Sequence, residues 1–555
     1  MKVENSLRPQ YIRQQEQQKS NNKGFNSYKN TSNGSNPNFT GGFDMFLRFL
    51  DTNQAWGANA VDLFCMVLPR TLTDFTRGPE AGTETLRREG MGTANHSMVG
   101  AYGTLAGMAL AAGINGLYQF GKNDIKASSI FADAETMDMQ GKIYTDILKQ
   151  NKENPLNEHL RRTLQQYEVQ NAKGEWIKFK DADIEKAVNI LEKEIKTDSN
   201  KINKDAAYNV RNILMSSANG AENNFRIIAE EGKKAHSSRY SIDYIVENTY
   251  KLPKVFSKDS VKETFIKTSD FAQNEFLKAL KSMNVKRSLL GIGMASAVGI
   301  SAQPLNMYLT KKKTGKSGFV GGGAEDKSTG FKIKKSLVAA LFGAGVLATI
   351  GNPKNLIKDL QFKGFTPTIK QFKFIYGVTI MSRFLSSRND NELRECSIKD
   401  TLGFASWLIL GNFVQKLVAQ GLDKSLIKNA GKGAMEWIKN SSLMSRDEVL
   451  HSALGEKVFK DGKALKYNDL VKLADKATRK KLNILSIAQL AGYAYSALAL
   501  GAGIPRLNIF ITNKIEGKKA SKEQPKAQQP DNMYKPENMA FLNEKNFTGN
   551  RLLSR

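Results

Sequence analysis

Three stretches of this chain run beyond twenty residues without a charge: 97–120 (SMVGAYGTLAGMALAAGINGLYQF), 288–310 (SLLGIGMASAVGISAQPLNMYLT) and 482–505 (LNILSIAQLAGYAYSALALGAGIP). Each exceeds the roughly 20 residues with which a helix crosses a bilayer core. Residues 336–353 and 401–415 are shorter versions of the same pattern, and 53–69 is a weaker one because it carries Asp62. Between these stretches lie charged, amphipathic segments. Ile184, Val188, Leu191 and Ile195, for example, recur at helical spacing.

The apolar stretches are rich in Gly, Ala and Ser. Gly103 and Gly107 stand four apart, as do Ala109 and Gly113. Such spacing lets helix backbones approach closely, in a bilayer or in a soluble core. Lysines and arginines flank both ends of several stretches: Lys286 and Arg287 before one, the basic run 311–335 after it, Lys480 and Lys481 before the last, Arg506 after it. That symmetry gives no orientation by the excess of positive charge in cytoplasmic loops.

Landmarks recur in the same order along the two halves. Gly42-Phe43 and Gly330-Phe331 open an apolar stretch, and Pro69-Arg70 and Pro353-Lys354 end one. Leu86-Arg87-Arg88-Glu89 and Leu393-Arg394-Glu395 precede the next. Residues 167–188 and 456–475 each read as two short alternating runs about a Gly-containing turn, then a capped helix. Finally 305–310 (LNMYLT) matches 507–512 (LNIFIT). This order predicts a mainly α protein of two tandem, diverged helical units. The units span 41–313 and 329–515, with a polar hairpin–helix insert in each, at 122–287 and 422–481. A Gly/Lys linker, 314–328, joins them. The tails 1–40 and 516–555 are too polar to fold alone and read as disordered. Three crossings per unit would put the copies in opposite orientations, a plan common in secondary transporters. A soluble pseudo-symmetric bundle satisfies the same landmarks.

Composition changes this picture in one respect. The chain has 555 residues, 40% of them apolar, which excludes wholesale disorder. Its net charge of +28 favours an anionic partner, unless an AT-rich genome has simply enriched lysine. The opening 24 residues have charges but no apolar core after them, so they do not read as a cleavable signal peptide. Two distant cysteines, Cys65 and Cys396, make no disulfide framework.

His96, His159, His236 and His451 are the four histidines, and none has metal-ligand spacing to another His or Cys. There is no HExxH and no GxSxG. The run 310–317 (TKKKTGKS) ends like a phosphate loop but lacks the opening glycine. Gly291-Ile292-Gly293 lacks the rest of a dinucleotide fingerprint. The segment 371–376 (QFKFIY) interleaves aromatics with a lysine, as a base-stacking surface does, or as a strand or buried helix start does.

The candidate functional residues are therefore polar groups beside the apolar stretches. Arg87, Arg88, Glu89, Arg394 and Glu395 are candidates for contacts between the units, and Asn306, Thr310, Asn508 and Thr512 for helix-end caps. Asp62 and Asn115 mark where a path through a membrane would be sought. The expectation is a non-enzymatic, cofactor-free bacterial protein of the cytoplasmic membrane. It would have a structural, scaffolding or permeability role and touch anionic lipid headgroups. The alternative is a soluble cytoplasmic protein binding an acidic partner or, less favoured, nucleic acid.

Overall fold

The structure is a computed structural model. It describes residues 42–520 except 53, 77, 172–174, 198, 229–238, 269, 316–324, 352–354, 430 and 432. The expected tail 1–40, the second expected tail beyond Ala520, most of the linker, His236, Lys316-Ser317 and Pro353-Lys354 lie outside the described residues; residues 516–520, expected in the disordered tail, instead continue the last helix. The described chain is mainly helical with a few short strands.

Helices α1 (Gly42–Thr52) and α2 (Gln54–Val61) lead through a π turn, Asp62–Val67, into α3 (Leu68–Phe75). Helices α4 (Pro79–Ser97) and α5 (Val99–Leu117) meet at a 47° bend. A polar insert follows. It holds α6 (Ala134–Lys149), α7 (Pro155–Gln165), β1 (Tyr167–Gln170), β2 (Trp176–Lys178), α8 (Asp181–Ile195), α9 (Lys204–Ser217), β3 (Phe225–Ile227), α10 (Ile242–Phe256) and α11 (Asp259–Lys267). The 40-residue α12 (Glu275–Thr314) returns to the bundle. Asn274 caps its start and left-handed Gly315 ends it.

The second half adds α13 (Thr329–Ile350), the short α14 (Leu356–Asp359) and α15 (Ile369–Leu385). Then α16 (Asp390–Ala405) runs through a π turn, Ser406–Leu410, into α17 (Gly411–Leu422). A second insert holds β4 (Ile427–Lys428), α18 (Ala434–Asn440), β5 (Ser442–Leu443), α19 (Arg446–Leu454), β6 (Phe459–Lys460), β7 (Lys463–Ala464) and α20 (Tyr467–Leu473). The chain closes with α21 (Lys476–Leu498), a π turn at Ala499–Gly503 and α22 (Ile504–Ala520).

Antiparallel pairs form at both Gly turns: β1 with β2, Val169 opposite Ile177, and β6 with β7, Phe459 opposite Ala464. β3 adds to the outer edge of β1, giving the order β2-β1-β3. The run 371–376 opens α15, where Thr368 and Gln371 form a capping box and Phe372 and Tyr376 are buried. It is a buried helix start and offers no stacking surface.

Contacts at the helix ends fix their directions. The start of α13 meets the end of α15, where Asp326 N–H donates to Arg388 O at 2.8 Å and Lys335 Nζ to Ser387 O at 3.3 Å. At the opposite end Phe362 N–H reaches Ser288 Oγ on α12 at 3.1 Å, Lys358 pairs with Glu135 of the first insert, and Lys416 Nζ reaches Ser441 O. Successive passes are α1–α3, α4–α5, α12, α13, α15, α16–α17 and α21–α22, alternating in direction. Both inserts therefore leave from one end and dock on each other. Tyr208 Oη donates to Leu465 O at 2.9 Å and Ala464 N–H to Asn209 Oδ1 at 2.8 Å.

Two expectations are corrected here. The α4–α5–insert–α12 run and the α16–α17–insert–α21–α22 run point the same way, because a fourth pass, α15, restores the direction. Gly42-Phe43 opens α1 at the insert end, whereas Gly330-Phe331 opens α13 at the far end. Those first landmarks are thus not equivalent once the inserts are matched.

Close packing of α5 on α12 explains the first four-spaced glycine pair. A Cβ on Gly291 would lie 2.9 Å from Gly103 Cα, and one on Gly107 would lie 2.5 Å from Arg287 Nε. Gly113 meets nothing and needs no such explanation. Arg287 is fully buried and turns its two terminal nitrogens to carbonyls of the 127–130 turn: Ile130 O at 3.1 Å, Ser128 O at 3.0 Å and Ala127 O at 3.3 Å, while its Nε is buried without an acceptor. Below it, Phe276, Leu277, Leu280 and Met283 belong to the core of the first insert. Beyond it, Leu289, Leu290, Met294, Ile300, Leu305 and Tyr308 face outward.

That change along α12 is general. Large apolar side chains are exposed throughout the bundle, yet among the described residues only Ile266 is so exposed within 118–274, and only Ile438 and Leu473 within 423–475. The first insert is also nearly balanced in charge, with 25 Lys and Arg against 24 Asp and Glu over 122–274. Four helical runs are long and apolar enough to cross a membrane: Glu275–Lys313, Thr329–Ile350, Asp390–Leu422 and Lys476–Thr512. The bent pair Gly82–Ser97 and Val99–Leu117 makes a fifth if it counts as one span.

Candidate functional site

The densest polar site inside the bundle is built on Glu89. Pro79 sits in the first turn of α4, where its missing N–H costs nothing. Two turns on, α4 turns Glu89 into the bundle, leaving its side chain 1% exposed. Four cations from four segments converge on that carboxylate. They are Arg88 of α4 at 3.2 Å, Arg383 of α15 at 3.2 Å, Lys399 of α16 at 3.3 Å and Arg70 of α3 at 3.6 Å. Arg383 turns its other terminal nitrogen to Asp400 of α16 at 3.2 Å. Asp62, in the first π turn, accepts from Thr93 Oγ1 at 2.5 Å, and its other oxygen finds no partner. Arg70 Nε and Nη2 are also buried without an acceptor.

The network ties α3 and α4 to α15 and α16. A buried carboxylate ringed by cations is stable only as a set, since removing one member strands the charge of another. Of the expected contacts between the units, Glu89 and Arg88 join it. The others go elsewhere. Arg87 Nε donates to Asn306 Oδ1 at 2.8 Å and its Nη2 to Thr310 Oγ1 at 2.7 Å, both on α12. Glu395 accepts from Thr512 Oγ1 at 3.1 Å on α22, and Arg394 donates to Asn391. Asn306, Thr310, Asn508 and Thr512 therefore do not cap helix ends. All four lie inside α12 or α22, and three of them receive or reach the charged string of a neighbouring helix.

Sequence reasoning missed Arg383, Lys399 and Asp400. The available signal was a pair of adjacent charges, Lys399-Asp400, leading into an uncharged stretch. Asn115, the other marked polar residue, accepts from Ala127 N–H at 3.1 Å and so ties the end of α5 to the first insert.

A second polar site joins the inserts to α1. Asp447 of α19 accepts both Arg48 Nε (2.8 Å) and Arg48 Nη2 (2.5 Å), and Arg211 of α9 also approaches it. Burial disfavours the charge on Asp447, yet this bidentate pairing holds its carboxyl below the usual range. Glu222, bonded to Arg211, goes the other way: burial and then the charge of Asp447 raise it well above that range. His451 stands between Ser216 Oγ at 2.9 Å from Nδ1 and Asn212 Oδ1 at 3.1 Å from Nε2. Gly220, at φ +87°, lets the loop after α9 press on α19, where a Cβ would lie 2.9 Å from Glu448 Cα.

Beside this junction a crevice of about 320 Å³ opens between the inserts, lined in part by Gln170, Glu175, Asn219, Lys428 and Glu448. Neither Ser216, which is half-buried, nor the buried His451 lines it. The other described histidines are packed among rings: His96 with Phe372, Tyr376 and Trp407, and His159 with Tyr144 and Phe256. Among the described residues no group of three His, Cys, Asp or Glu is placed to hold a metal ion. No protein family model matches the chain, and no curated protein or solved structure is similar to it.

Proposed function

We propose that this chain is a membrane-embedded, non-enzymatic scaffold that holds a docked pair of polar inserts at one face of a bilayer. The observation that carries this is the segregation of exposed apolar side chains onto the bundle, with the inserts almost free of them. A soluble protein of this size does not leave so much contiguous apolar surface uncovered. The change falls within a single helix, at Arg287 of α12, where the lipid boundary would lie. From Ser288 to Thr310 the helix rises about 35 Å at 1.5 Å per residue, enough for a bilayer core. Lys311, Lys312, Lys313, Lys332, Lys334 and Lys335, at the far end, would lie against anionic headgroups, each cation contributing about 1 kcal/mol. A bacterial cytoplasmic membrane is the setting we favour.

Fractionation tests this. Resistance of the membrane pellet to carbonate, with release by detergent, is the expected result. Recovery in the soluble fraction, or release by salt alone, would favour the rival: a soluble basic protein binding an acidic partner or nucleic acid.

We also infer that the two halves share an ancestral unit. In each, the helix before the insert packs along the helix after it, α5 on α12 and α17 on α21. In each, the helix bearing the charged string reaches the Asn/Thr-bearing end of the last helix, through Arg87 to Asn306 and Thr310 or Glu395 to Thr512. In each, a two-stranded hairpin precedes a helix within the insert. Aligning the halves across related sequences should match these positions in register. A better match at any other offset would remove the inference.

A further inference from the structure

We propose that α1 is an interfacial helix, seated on the lipid headgroup boundary by its outer face and clamped to the inserts by its inner one. This rests on the membrane reading above. The helix is turned inside out for an element bathed in water. Its charged residues point into the protein: Asp44 accepts from Tyr467 Oη at 2.8 Å, Arg48 pairs with Asp447, and Asp51 meets Arg446 at 3.2 Å. Leu47 and Leu50 fill the gaps between them. The outer face carries Phe43, Met45, Phe46 and Phe49, each nearly half exposed.

An eleven-residue helix with this pattern would bury the wrong face if water lay outside it. The outer face continues into the exposed Trp56, Leu63 and Phe64 along α2 and the π turn. Those lead toward the apolar bundle surface, so the same medium covers both. α20 begins against α1, through Tyr467 to Asp44 and Asn468 to Met45, and its junction with α21 exposes Lys472, Lys476, Arg479 and Lys480 around Leu473. Aromatic and aliphatic side chains bordered by cations suit the headgroup–acyl boundary of an anionic bilayer.

The clamp then has a consequence. Asp447 holds Arg48 of α1 and lies against Arg211 of the first insert, so the depth at which lipid seats α1 sets the height of both inserts.

The test uses the full chain in vesicles of phosphatidylcholine with phosphatidylglycerol. Cys65→Ser and Cys396→Ser remove the native thiols. A bimane label then goes on Phe46→Cys, with Phe49→Cys as a second reporter should the first variant misfold, and on Leu341→Cys of α13, two turns beyond Lys334 and Lys335, as a reporter of the bundle surface. The expected result is that the α1 label is quenched by lipid nitroxides near the headgroups at least about twofold more than by aqueous iodide, while the α13 label is quenched by deep nitroxides. Iodide quenching on α1 with lipid quenching on α13 would overturn this proposal and leave the membrane reading intact. Iodide quenching of both would overturn both. Disulfide-linked dimers through unlabelled Phe46→Cys would show a second copy on this face and also overturn it.

Discussion

Acidification should loosen the junction of the inserts through His451. Its neutral ring is held at both nitrogens: Ser216 Oγ–H donates to Nδ1 and Nε2–H donates to Asn212 Oδ1. Burial pushes the imidazole down to about 4, from an ordinary value of 6.5. The charge of Asp447 pulls it up and those of Arg211 and Arg48 push it down. Because the folded value lies below the unfolded one, the unfolded chain takes up the proton first. The stabilisation is complete above pH 6.5 and is lost as pH falls from there to about 4. The difference between the unfolded and folded values is worth about 3 kcal/mol. His451→Gln keeps one acceptor and one donor but cannot titrate. Hydrogen exchange of α9 and α19 in the detergent-solubilised chain, compared between the two proteins at each pH, cancels the intrinsic pH dependence of exchange. It also cancels titration of Glu222 and Asp447, which both proteins share. The wild-type chain should lose protection over this window and the variant should lose much less. Parallel losses in the two proteins would refute the role given to His451.

Three other substitutions probe the bundle. Glu89→Ala leaves the charges of Arg383, Lys399 and Arg88 facing one another, and should lower stability by about 3–5 kcal/mol, read as the denaturant midpoint in detergent. Glu89→Gln should behave similarly, because the loss is of charge rather than volume. Gly107→Ala forces a methyl against a guanidinium held by three carbonyls and should cost about 1–3 kcal/mol, while Gly113→Ala, with open space for its methyl, should not lower the same midpoint. Leu341→Asp, on the outward face of α13 and within its uncharged stretch, should reduce the carbonate-resistant fraction, since a carboxylate deep in the bilayer costs about 2.5–3.5 kcal/mol on insertion scales. An unchanged fraction would mean that this face meets water.

The uncharged stretches told a reader where the long helices lie, because a helix facing lipid or a core on most sides must be apolar on most sides. They understated 401–415, which is the middle of one run from Asp390 to Leu422 carried through a π turn. They missed α15 altogether. That helix is among the most buried, yet its sequence mixes Lys370, Lys373 and Arg383 with aromatics, because its surroundings are other parts of the chain that supply polar partners. Arg383 finds Glu89 and Asp400, and Gln371 reaches Leu360 O at 2.9 Å, contacts that local hydropathy cannot register. The same blindness affected the candidate site. Arg88 and Glu89 stand out beside an apolar stretch, but two of the partners of Glu89, Arg383 and Lys399, are about 300 residues away and carry no pattern of their own. Conversely Arg87 and Asn306 were both noticed, and only the fold brings them together.

The fourth pass of the second half follows from what the inserts do. Two polar modules that bury surface against each other must emerge at the same end of the bundle. A strict three-pass unit repeated twice would send them to opposite ends, because an odd number of passes reverses the chain each time. The hairpin of α13 and α15 supplies one extra pass and cancels the reversal. It also does more than turn the chain. The outer faces of α13 remain exposed at Ile333, Leu337 and Leu341, while α15 passes through the interior and carries Arg383 to Glu89. The helix that corrects the direction is thus also the one whose charge ties the two halves together. Losing it would undo the docking of the inserts and the buried ion network in a single step.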